Sequence, residues 1–173
     1  MHGDENIRTQ LERQVKALSL RPAVGKGTAV TKIRLRPGLE CEVEEGAWRL
    51  VVGMPEKMGG NNAGPTPGTF GRAAFGSCLA ISYGMWAARL GVPLSSLEVV
   101  VQAAYDSRGE LGVADDVHPG YSEVRYLVSV ESPASEADVL RVLDTADKYS
   151  SYRDVFGRAL PLRREVRITA ATP

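Results

Sequence analysis

A chain of 173 residues is long enough to close one domain around a hydrophobic core. It is 43% hydrophobic and 24% charged, and its 21 basic and 21 acidic side chains leave a formal net charge of zero. That balance gives no global electrostatic pull toward nucleic acid or an anionic membrane, so neither is an expected partner. The two cysteines, Cys41 and Cys78, are too few for a disulfide scaffold. The first ten residues are polar and charged and do not read as a secretory leader. The longest uncharged run, Ala73 to Ala88, is too short to span a bilayer and reads as a buried core helix. A cytoplasmic, reducing location is the expectation.

The pattern begins with a helix over Glu5 to Leu20, where Ile7, Leu11, Val15 and Leu18 recur at helical spacing until Pro22 and Gly25. Residues 1–22 therefore read as a helical extension and 23–173 as the main domain. Three strands follow, over Thr28 to Leu35, Leu39 to Val43 and Trp48 to Val52. Arg36-Pro37-Gly38 makes the first turn, and Glu44, Glu45 and Gly46 suggest a hairpin. Pro55 to Gly68 holds too many glycines, prolines and asparagines for a helix or a central strand and reads as a loop.

A long apolar helix is predicted from Thr69 to Leu90, stopped by Gly91 and Pro93. Strands are predicted over Leu97 to Tyr105 and Tyr121 to Val130. A second helix is predicted over Ser135 to Tyr149, with Ser135 as its N-cap, and a last strand over Leu162 to Ala170. This order predicts the α+β class, an antiparallel sheet with two long helices packed on it.

The chemistry concentrates at Cys78, which follows the glycine- and proline-rich loop inside an almost uncharged helix. A thiolate, not a thiol, is the nucleophile, and it needs a local positive field or hydrogen-bond donors to form at neutral pH. Against this stands the plainer reading of an unpaired cysteine as a small buried hydrophobe.

Gly59-Gly60-Asn61-Asn62-Ala63-Gly64-Pro65-Thr66-Pro67, then Ala73-Ala74-Phe75-Gly76-Ser77-Cys78, resembles the signature of the OsmC/Ohr family of thiol-dependent hydroperoxide reductases. Met54-Pro55-Glu56-Lys57-Met58 resembles the family's approach to the double glycine, and Ala146-Asp147-Lys148-Tyr149 its Ala-Glu-Lys-His. The resemblance implies an OsmC-like fold in an intertwined homodimer, with sites at the subunit interface. It also implies a chemistry in which a reactive cysteine reduces an organic hydroperoxide, becomes a sulfenic acid, and is resolved by a second cysteine.

By position, Cys78 falls on the reactive cysteine. The resolving cysteine falls on Ser150, followed by Ser151 in place of proline, and the glutamate after the turn proline falls on Gly68. Arg36 lies near the place of the family's arginine, and Cys41 matches no motif. Two readings stay open on these residues. One is a one-cysteine peroxidase using Cys78 and an external thiol reductant. The other is an OsmC-like protein that binds an apolar, lipid-like small molecule without turnover. No cofactor is implied by either. His118 with Asp115 and Asp116 lacks the three or four converging ligands of a metal site, so no metal is expected. Arg163, Arg164 and Arg167 read as a solvated strand edge.

Overall fold

A computed structural model describes residues 2–170, with side chains from residue 5 onward. Helix α1 spans His2–Leu20. It is followed by strands β1 (Lys32–Arg36), β2 (Glu40–Glu45) and β3 (Trp48–Gly53), helix α2 (Pro67–Leu90), strand β4 (Ser96–Tyr105), a helical turn α3 (Ser107–Glu110) and strand β5 (Tyr121–Glu131). Helices α4 (Glu136–Tyr149) and α5 (Ser151–Gly157) are the last regular elements.

The strands form two antiparallel sheets rather than the single one predicted: β1-β2-β3, and a separate pair β4-β5. Register divides the first sheet into two unlike faces. Ile33 pairs with Val43 and Val43 with Leu50; Leu35 pairs with Cys41 and Cys41 with Val52. Side chains alternate across a strand, so these six share one face with Trp48. The other face is charged and cross-linked by Arg34–Glu44 (3.1 Å), Arg36–Glu42 (2.7 Å) and Arg49–Glu44 (3.4 Å).

The core lies where α2 and α4 pack against each other and β4-β5 packs against α2. Phe75, Leu79 and Tyr83 recur at i, i+4, i+8 on α2 and meet Ala146 of α4, with Val99, Val101, Val124, Tyr126 and Val128 from the sheet beneath. A second cluster joins Ala87, Val92 and Val142. Thr66 caps α2 by accepting a hydrogen bond from Thr69 N–H (3.3 Å), with Pro67 in the first turn. Ser135 caps α4 through Asp138 N–H (3.2 Å), as its sequence position predicts.

Two expectations are corrected. Leu162 to Ala170 is not a strand: residues 158–170 carry no regular structure, and Leu162 and Ile168 are 94% and 92% exposed. A strand needs a neighbour for its backbone groups, and the segment pairs with none among the described residues. Helix α2 is also not buried all round, because Ile81 and Met85, on the side away from Leu79, face outward.

The Phe75–Leu79–Tyr83 row carries the packing that brings α4 to α2. We expect Leu79→Ala to lower the unfolding free energy by about 2–5 kcal/mol, the usual cost of a fully buried leucine. Ile81→Ala, on the exposed side of the same helix, should cost well under 1 kcal/mol in a dilute monomer. Equilibrium denaturant unfolding checks both.

Candidate active site

The glycine-rich loop is a strap joining β3 to α2. Gly53 N–H donates to Pro65 O (3.1 Å), Asn62 N–H to Met54 O (3.0 Å) and Asn61 N–H to Gly38 O (3.1 Å). Asn61 Nδ2 adds a bond to Glu40 (3.0 Å). Backbone meets backbone so closely here that a Cβ on Gly60 would stand 2.0 Å from Met54 O, and one on Gly64 2.5 Å from Val51 O. Any side chain at either position would force the strap off the sheet edge and displace the start of α2.

Three turns into α2 stands Cys78, half-buried. Its sulfur lies 3.8 Å from Ser150 Oγ and 3.5 Å from Ser151 Oγ, at the junction of α4 and α5. Burial acts to push this thiol up. It is outweighed by the Ser151 hydroxyl, the Tyr152 N–H, the Ser150 hydroxyl and the Ser151 N–H, which together hold the thiol below its ordinary value. These donors come from the first turn of α5, where N–H groups have no partner within the helix. The chain is steered into that turn by Ser150, which is buried, ends α4, and caps α5 by accepting from Arg153 N–H (3.3 Å).

Helix α5, absent from the sequence-based reading, is fastened by aromatic packing and one cation. Phe156 packs on Phe75 of α2 at 4.9 Å between centroids, and Phe75 meets Tyr126 edge-on at 5.6 Å. Arg153 Nε donates to Tyr126 Oη (3.2 Å) and lies 3.8 Å from the Asp147 carboxylate. Asp147 also accepts from Tyr83 (2.7 Å) and Tyr126 (2.8 Å). Burial, and then the bond to Asp147, push both tyrosines up, so they stay protonated donors.

A cavity of about 610 Å³ opens one helical turn before Cys78, lined by Phe75, Tyr121, Val124, Arg153 and Phe156, with Glu123 at its edge. Gly68 offers no carboxylate, and its surroundings are filled by other side chains. Tyr121 donates to Gly68 O (3.1 Å), and Arg72 Nη1 donates to Tyr121 Oη (3.1 Å).

The structure therefore brings Cys78 and Ser150 together across 72 residues of sequence. It does not join Arg36 to them: that guanidinium ends β1 on the charged face of the first sheet, paired with Glu42. Cys41 lies on the opposite, apolar face. Among the described residues no three His, Cys, Asp or Glu side chains converge to hold a metal ion. Sequence reasoning missed Arg72, Arg153 and Ser151 as neighbours of the site. The signal for Ser151 lies in the sequence, since Ser150-Ser151 after a helix end is itself a capping pattern.

The assembled features define an α+β domain with one polarised, half-buried cysteine on the helix that follows a glycine-rich strap. A sequence profile described as OsmC-like protein matches residues 59–165, more than half of the chain, and the protein belongs to that family. No curated protein sequence matches it. Among solved structures it is similar to an OsmC-like protein from Mycoplasma pneumoniae, at 13% identity and a TM-score of 0.66, over 76% of this chain and 89% of that one. It is also similar to the organic hydroperoxide resistance protein OsmC from Legionella pneumophila, at 14% identity and a TM-score of 0.56, over 75% of this chain and 89% of that one. A third is an organic hydroperoxide resistance protein from Elizabethkingia anophelis, at 13% identity and a TM-score of 0.55, over 75% and 88%. At these identities the likeness establishes the fold.

The donors around the sulfur set a pH dependence. A thiol held below its ordinary value ionises earlier, so Cys78 alkylation should reach half its maximal rate at a lower pH than that of an unperturbed cysteine. Ser151→Ala removes a donor to the charged form. Its midpoint should move upward, and its rate at neutral pH should fall about three- to tenfold. Alkylation with iodoacetamide across pH, followed by mass spectrometry at Cys78, reads both.

Proposed function

We propose that the protein is a one-cysteine, thiol-dependent organic hydroperoxide reductase. The observation that carries this reading is the Cys78 sulfur held against the hydroxyls and N–H groups of Ser150, Ser151 and Tyr152. In the proposed reaction the Cys78 thiolate attacks the terminal peroxide oxygen. An S–O bond forms, the O–O bond breaks, and the organic alkoxide takes a proton and leaves as the alcohol. Cys78 is then a sulfenic acid.

Ser150 occupies the place from which a resolving thiol would attack, and a hydroxyl cannot form a disulfide. Resolution therefore falls to an external thiol. Its sulfur displaces the sulfenic oxygen as water and leaves a mixed disulfide, and a second external thiol then restores the Cys78 thiolate. Each cycle consumes one hydroperoxide and two thiols, and yields alcohol, water and one disulfide. The adjacent cavity has a mixed lining, and its apolar part, Phe75, Val124 and Phe156, suits the organic body of a hydroperoxide. A cytoplasmic setting would supply such thiols. No helix among the described residues is long and apolar enough to cross a membrane.

The reading includes a homodimer. The face bearing Ile33, Leu35, Trp48 and Leu50 is largely uncovered, as are Ile81 on α2 and Leu162 and Ile168 on the extended segment 158–170. Apolar surface on this scale, beside sheets with open edges, is what a second copy would cover. In that assembly the extended segment would pair as an added strand. Sedimentation is expected to give a dimer, and Leu162→Glu with Ile168→Glu to give monomer. A wild-type monomer at micromolar concentration would remove this part of the proposal.

The chemistry is tested by treating reduced protein with one equivalent of an organic hydroperoxide in the presence of a dimedone-type probe. Selective labelling at Cys78, abolished in Cys78→Ser, is expected. An unlabelled Cys78 that also resists alkylation would mean an inert thiol. It would favour ligand binding without turnover, a reading to which the absence of a carboxylate at Gly68 already lends some weight.

A further inference from the structure

Asp147 is the charged centre of the core-facing side of α4, and nothing in the proposed reaction uses it. Its carboxylate takes hydrogen bonds from Tyr83 of α2 (2.7 Å) and Tyr126 of β5 (2.8 Å), and Arg153 of α5 faces it at 3.8 Å. Three elements are thus tied to α4 at one point. A half-buried carboxylate with two tyrosine donors and a cation is costly to break, because each group released would be left unpaired.

The tie leads back to the sulfur through one residue. Arg153 holds Tyr126 with its side chain, and its backbone N–H donates to Ser150 Oγ (3.3 Å). Once that hydroxyl has accepted from Arg153, its own proton is free to point at the Cys78 sulfur, 3.8 Å away. An N–H to hydroxyl to thiolate sequence is polarised in the sense that stabilises the anion. Ser151, next in the chain, is positioned by the same turn.

We propose that Asp147, Tyr126 and Arg153 form a positioning unit that holds the α4–α5 junction so that the Ser150 and Ser151 hydroxyls reach the Cys78 sulfur. The unit touches no substrate and acts through the two serines. The inference rests on Cys78 being the nucleophile, as proposed above, but not on the electrophile being a peroxide. The charged and titratable groups facing Asp147 are Tyr83, Tyr126 and Arg153, with Lys148 beside it on α4. The groups facing Cys78 are the two serine hydroxyls and the α5 N–H groups, which are uncharged donors that do not titrate in this range.

The test uses the full chain and an alkylating agent, with no peroxide. Arg153→Gln, Arg153→Lys and Tyr126→Phe are compared with wild type for the rate of Cys78 carboxymethylation across pH and for thermal unfolding. Arg153 is half exposed and Tyr126→Phe keeps the ring in the core, so all three should fold. Arg153→Gln and Tyr126→Phe should each move the midpoint upward and slow alkylation about three- to tenfold at neutral pH, while leaving the fully ionised rate near wild type. Arg153→Lys, which keeps a cation beside Asp147, should recover part of the loss. Adding Ser151→Ala to Arg153→Gln should slow alkylation by less than the product of the two single effects, since both act through one turn. Folded variants with the wild-type midpoint, or with rates slowed equally at every pH, would overturn the proposal. A wild type that alkylates readily but leaves hydroperoxide unconsumed would sink the peroxidase reading and leave this one standing.

Discussion

The structure depends on the packing of α4 against α2. Leu79 and Tyr83 are fully buried against Ala146, and that contact delivers the end of α4 to the side of Cys78. A half-buried sulfur would by itself be less acidic than a free thiol. It becomes more acidic because a helix ends beside it and another begins, with a buried serine at the joint. Cohesion and reactivity thus share residues: Phe75, three residues before Cys78, binds α5 through Phe156, and Tyr83, five residues after it, binds α4 through Asp147.

Much of this arrangement was legible in the sequence. The 3.6-residue recurrence of apolar side chains marked α1, α2 and α4, Ser135 marked a cap, and the valine-rich alternation marked β4 and β5. The glycine-rich loop was legible as a loop, but the need for Gly60 and Gly64 lies in the folded strap, where their hydrogens face main-chain oxygens. Cys78 and Ser150 were paired by motif position, and the fold places them in contact. Seven-residue α5 escaped notice because its apolar residues, Val155 and Phe156, are too few to show a period, and its stability comes from tertiary contacts.

The segment from Leu162 to Ala170 teaches the opposite lesson. Its alternating pattern is that of a strand, yet pattern encodes only which side chains seek cover, not where the pairing edge comes from. Among the described residues no strand pairs with this segment, and its apolar residues stand exposed. Arg36 shows the same limit. Its place near a turn suggested a role at the thiol, but the register of β1 against β2 commits it to the charged face with Glu42.

The hydroxyl at position 150 sits at the centre of the account, because it lies 3.8 Å from the Cys78 sulfur, where the proposed reading would put a resolving thiol. Ser150→Cys would put a sulfur in place of the hydroxyl whose oxygen stands 3.8 Å from the Cys78 sulfur. The measurement is intact mass and thiol count of the reduced S150C protein before and after one equivalent of organic hydroperoxide. The account predicts the loss of two thiols and of two mass units, as one intrachain disulfide to Cys78 forms, while wild type under the same treatment forms none. An S150C protein that keeps all its thiols reduced while the hydroperoxide persists would contradict it.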